Sequence, residues 1–117
     1  MRAVKRDFSG TWRITRMSEW DKEYCDSEVK AFIAIKSSGD GEFQFGSVIG
    51  SVCGDFMKKA EGAVFDFTWE GSEEFEQLSG DGWMKITKAG MAEGEIRFHA
   101  GDRSMFWAKK TNMKGKK

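Results

Sequence analysis

Proline is missing from this chain of 117 residues, cysteine occurs only twice, histidine only once, and the formal net charge is zero. Without proline, nothing interrupts a run of paired strands, and fourteen glycines are available for the turns between them. Cys25 and Cys53 are too few for a disulfide framework and lack C-x-x-C spacing. Free thiols in a reducing, cytoplasmic setting are therefore expected. One histidine and two scattered cysteines do not make a zinc set, so no metal and no cofactor is expected. The longest apolar run, residues 31–35, is far below the roughly 18 residues of a membrane helix. The leader MRAVKRDF also lacks the apolar region of a signal peptide, so no membrane partner is expected. Neither a P-loop nor G-x-G-x-x-G nor G-x-S-x-G is present.

The zero net charge hides an asymmetry. Residues 109–117, KKTNMKGKK, hold five of the 19 basic residues and no acid, leaving 14 basic against 19 acidic residues elsewhere. Such a body does not attract nucleic acid. The division expected is one domain over residues 1–110, large enough for a single core, and a basic tail over 111–117. The tail reads as a solvated terminus in preference to an arm for an anionic partner.

What is abundant is aromatic: ten Phe and five Trp, a payload that favours a folded core. Most segments alternate with period two, which indicates strands at about 9–17, 28–36, 41–46, 49–58, 62–70, 82–88, 93–99 and 104–110. Between them lie SSGDG, KKAEG, KAGMAEG and AGDRS, rich in the Gly and Asp of hairpin turns. SGDG occurs twice, at 38–41 and 79–82, and is read as repeated turn chemistry. Short helices compete at SEWDKEYCDSEV and GSEEFEQLSG, where Ser18 or Ser72 could act as cap. Eight short strands in sequence order predict an all-β fold, a single eight-stranded up-and-down antiparallel barrel whose closure removes exposed edges. The long connections, 18–27 and 71–81, then emerge at one end, the expected mouth of a site on a rigid scaffold.

The segment FSGTWRI places Gly10, one spacer and Trp12 at the start of the first strand. This G-x-W resembles the opening of the calycin barrels, the lipocalins and avidins, which share an up-and-down β-barrel with a tryptophan near the closed end. The resemblance extends to strand count and order, and in sequence it rests on this tripeptide. The chain is similar to a minimal calycin-like barrel of a small bacterial family. Independently of the resemblance, a glycine permits close backbone approach where the first strand enters a closed barrel, and the large indole of Trp12 is expected to plug the narrow end. The resemblance implies that a basic side chain after the last strand, Lys109 or Lys110, covers it. The later lipocalin turn motif and outer helix are not found, and no ligand residue is carried over.

Alternation turns Trp12, Ile14, Val29, Ile33, Ile35, Phe43, Phe45, Phe65, Phe67, Trp69, Ile96 and Phe98 inward, while strands 4, 6 and 8 stay undecided. The four inward phenylalanines at 43, 45, 65 and 67 read as core. Three functions remain. The first is a binder of a small molecule at the mouth, framed by Trp20, Tyr24, Trp69, Trp83 and His99. The second is an interaction or structural module with a filled barrel, whose loops bind a protein or which has no evolved ligand at all. The third, ranked last, is a hydrolase or isomerase using His99 with Asp102 or Arg97. No catalytic residue is assigned. The acid clusters EWDKEYCDSE and EGSEEFE lack EF-hand spacing and read as solvated loops. A monomer or homodimer is expected.

Overall fold

The computed structural model describes residues 7–60 and 62–111. Eight strands pair each with the next, and β8 returns to β1, closing an antiparallel up-and-down barrel. They are β1 (Gly10–Met17), β2 (Phe32–Ile35), β3 (Asp40–Phe45), β4 (Val48–Lys59), β5 (Gly62–Glu73), β6 (Glu76–Lys88), β7 (Met91–Phe98) and β8 (Arg103–Thr111). One short helix, α1 (Lys22–Cys25), lies in the β1–β2 connection. Because β8 runs through Thr111, the barrel extends one residue past the expected boundary, and residues 112–117 lie outside the described residues.

The interior is solid. Phe43, Phe45, Phe65, Phe67, Trp69 and Phe106 are all at most 4% exposed. Phe43 sits 5.1 Å from Trp69 and 5.9 Å from Phe45, and Phe65 sits 5.5 Å from Phe67. Rings of this size fit because the positions facing several of them are glycines. A Cβ at Gly50 would meet the Phe43 ring, one at Gly82 the Phe67 ring, and one at Gly94 the Phe106 ring. Large side chains set over residues with no side chain fill a narrow eight-stranded barrel.

The undecided strands are settled by the same geometry. Val48, Gly50 and Val52 of β4, Met84 of β6, and Ser104, Phe106 and Ala108 of β8 face inward. Trp83 and Trp107 face outward, each with a polar or cationic partner. The Trp83 indole N–H donates to Glu95 (3.1 Å), and Arg16 lies 4.0 Å above the Trp107 ring. In β1 a register shift between Ile14 and Arg16 lets Met17 join Trp12 and Ile14 inside despite its odd spacing.

The floor answers the opening motif. Trp12 is 1% exposed, and its N–H donates to the Phe8 carbonyl at 2.9 Å. Phe8, Phe56 and Phe65 cluster beside it, with centroids 5.0 to 6.2 Å apart. Lys110 supplies the basic cover: its ammonium is 5.1 Å from the Trp12 ring and donates to the Asp7 carbonyl, and burial pushes its pKa down. Gly10 takes φ of +121°, open to glycine but strained for other residues, and a Cβ there would press on the Lys110 stem.

Three sequence expectations are corrected. Strand 2 begins at Phe32 instead of 28, and Val29 is 42% exposed in the loop. The cause is Asp26, whose carboxylate takes the Ala31 N–H at 2.9 Å and so ends the loop just ahead of β2. Residues 71–81 are not a long connection: β5 and β6 continue to Glu73 and from Glu76, leaving a two-residue turn at 74–75. The second SGDG, 79–82, accordingly lies within β6, with Gly80 facing Trp69 and Gly82 facing Phe67. Neither helix cap proposed from sequence is used: Asp21, not Ser18, caps α1 by accepting from the Tyr24 N–H at 2.9 Å, and Ser72 lies within β5.

Candidate pocket at the loop end

Four connections meet at the end opposite the floor: residues 18–31, 46–47, 74–75 and 99–102. The first is pinned at both ends. Ser18 accepts from the Met105 N–H (2.9 Å), while Ser104, 1% exposed, accepts from the Glu19 N–H (3.1 Å). Farther along, Arg13 grips Asp26 through two bonds of 2.8 and 2.9 Å, and Lys22 adds a third contact at 3.1 Å. The Arg13 hydrogen bonds hold the Asp26 carboxyl far below the usual carboxylate range, against an opposing effect of burial.

That shift has a sign. A carboxyl whose folded pKa is depressed adds stability above its unfolded pKa and loses it progressively as pH falls below that value toward the folded one. Asp26→Asn is therefore expected to cost about 1–2 kcal/mol at neutral pH. The gap to the parent should shrink steadily below about pH 4. Denaturant melts across that range test this; a gap independent of pH would detach the loop from the Arg13–Asp26 pair.

So anchored, the connection lays Trp20 over the top of the barrel, 5.0 Å from Phe45 and 5.9 Å from Phe98. Phe98 in turn lies 5.1 Å from Trp69 below it. On the other side of α1, the Tyr24 hydroxyl donates to Glu73 at 3.2 Å, and Ser47 donates to the same carboxylate oxygen at 2.9 Å. The Gly46 N–H ties the β3–β4 turn to the Cys25 carbonyl at 2.8 Å. Burial, with Asp26 and Asp21 nearby, pushes the Cys25 thiol up; Cys25 and Cys53 are both free.

Between these anchors lies a pocket of about 320 Å³, lined by Trp20, Tyr24 and His99 together with Leu78, Phe98 and Glu76. Three of the five residues singled out from sequence thus come together. Trp69 does not join them: it is 3% exposed inside the barrel, and its indole N–H has no acceptor among the described residues. Trp83 lies on the outer wall with Glu95. Sequence reasoning missed Glu73, Glu76, Leu78 and Phe98 as lining because it read the acid cluster EGSEEFE as a solvated loop and turned Phe98 into the core.

His99 makes no side-chain hydrogen bond with Asp102 or Arg97 among the described residues. Arg97 is committed to Asp81 through two bonds (2.9 and 3.1 Å) and to Glu95 at 3.1 Å. A larger concavity, about 850 Å³, runs along the outside of β4, β5 and β6 past Ser51, Cys53, Thr68 and Ser79. It is wider open to solvent than the loop-end pocket, and Trp69, Phe98 and His99 line it as well, so His99 borders both. No helix among the described residues is long and apolar enough to cross a membrane. No protein-family model matches the chain, nor does any curated protein or solved structure.

Proposed function

We propose that this protein is a non-enzymatic binding module, calycin-like in architecture, that takes a small molecule at its loop end and not inside its barrel. The observation that carries this reading is the convergence of Trp20, Tyr24 and His99 on one pocket above a tightly packed interior. Aromatic faces with a few polar groups, held on anchored loops, are the usual composition of a small-ligand site. Among the described residues no side-chain hydrogen bond ties His99 to Asp102 or Arg97, the partners that the hydrolase or isomerase reading requires.

Tryptophan emission is expected to shift with at least one member of a broad metabolite panel. Trp20→Ala should weaken that response at least about tenfold, equivalent to about 1.4 kcal/mol, whereas Trp83→Phe on the outer wall should leave it intact. Loss of the response in Trp83→Phe alone would move the site to the wall.

Two features favour the second reading, a protein-engaging module: the filled interior that this reading predicts, and the tip of the β5–β6 hairpin. Phe75, at the tip of the β5–β6 hairpin, is fully exposed, and its neighbour Glu74 adopts φ of +56°, a strained value for a residue other than glycine. If no compound alters emission or melting, and Phe75→Ser abolishes association with a protein partner, the hairpin tip replaces the pocket.

A further inference from the structure

The loop-end pocket combines aromatic walls with a charge of one sign. Trp20, Tyr24 and Phe98 supply the rings, and three carboxylates, Glu73, Glu76 and Asp102, share the lining with no lysine or arginine. The neighbouring cations are engaged elsewhere: Lys22 and Arg13 on Asp26, Arg97 on Asp81 and Glu95, and Arg103 on Glu95. Glu73 is held by two neutral hydroxyls, from Tyr24 and Ser47, so its position is set without its charge being cancelled. A concave site lined by carboxylates repels anions, and the ring faces attract a positive, weakly hydrated group.

We propose that the pocket takes an organic ammonium group, the ring faces receiving its alkyl surface and the carboxylates its charge. This rests on the loop-end binding reading above and names the ligand class for that same site. Two sources share the chemistry, a free small amine and the side chain of a lysine in a peptide. The pocket is closed on one side by the hairpin and on another by α1, and its volume suits one ammonium with a short chain.

The test compares probes of matched shape on the intact chain at low salt. Choline and the neutral isostere 3,3-dimethylbutan-1-ol are titrated against isotope-labelled protein, with an acetylated, amidated Gly-Lys-Gly peptide as the third arm. The expected result is that choline or the peptide shifts the signals of Trp20, Tyr24 and His99 while the isostere does not. Which of the two binds more tightly identifies the source. Added salt weakens the binding. Glu76→Gln and Asp102→Asn, both at exposed positions, weaken it about threefold each without altering the melt. Equal binding of the isostere at the same residues overturns the ammonium class and leaves the pocket reading intact. Silence from all three probes overturns the ammonium class as well, and the metabolite panel then decides the pocket separately. Unchanged choline affinity in the double variant would also overturn it.

Discussion

Trp12→Ala is expected to unfold about 3–5 kcal/mol more easily than the parent, the largest loss predicted for a single side chain here. The indole is 1% exposed, carries the cation of Lys110 on its face, and anchors the Phe8 carbonyl through its N–H. Truncation leaves a cavity beside the Phe8, Phe56 and Phe65 cluster, strips Lys110 of the ring beneath it, and releases the segment that enters the barrel. Those losses share one location, so little relaxation can offset them. Trp12→Phe, which keeps a ring but not the N–H, should recover about half of the loss. Urea melts of the three proteins decide the matter. A Trp12→Ala midpoint equal to the parent's would mean that the floor is not closed by this residue.

Gly54→Ala, one methyl group added to a strand, is expected to cost about 3 kcal/mol, at the upper end for overpacking. A Cβ at Gly54 would overlap the Asp66 carbonyl and crowd the Phe65 and Phe67 side chains on the facing strand. A flexible side chain could swing aside, but the carbonyl belongs to the β4–β5 ladder, in which Gly54 pairs with Phe67. Relief therefore requires the two longest-paired strands to part or the rings to leave their positions. Ser51→Ala, on the outer face of the same strand, removes a hydroxyl from an exposed position and should stay within about 0.5 kcal/mol of the parent. If Gly54→Ala melts with Ser51→Ala, the interior tolerates more volume than its packing implies, and a hollow, ligand-bearing barrel returns to consideration.

Much of this barrel is legible in the chain itself. Alternation identified eight strands in order and placed Trp12, Ile33, Phe43, Phe65 and Ile96 inside, because a half-buried strand writes its inner face at every second residue. Gly10 and Trp12 marked the floor before any contact was known. The errors fell where a long-range contact overrides the local pattern. Residues 71–81, rich in Gly, Ser and Glu, read as a loop, yet they pair across β5 and β6, where Gly71 and Gly80 are interior positions and not turns. Val29 fits a strand by alternation, but Asp26 takes the Ala31 N–H and shortens β2. Trp83 and Trp107 could not be assigned a face from hydrophobicity, since each is held outside by one partner, Glu95 or Arg16, distant in sequence.

The site shows the same division. Trp20, Tyr24 and His99 stood out by residue type and by lying near connections, but their convergence needed the Arg13–Asp26 anchor and the Tyr24–Glu73 bond, between elements up to 49 residues apart. The sequence by itself determined a closed antiparallel barrel with its floor at Trp12, because strand period, turn chemistry and aromatic content are local properties. Only the tertiary structure decided that the barrel is full and that the carboxylates of Glu73, Glu76 and Asp102 meet at its loop end. Packing density depends on which glycine faces which ring, and pocket charge on which cations are already paired, and both are properties of strands far apart in the chain.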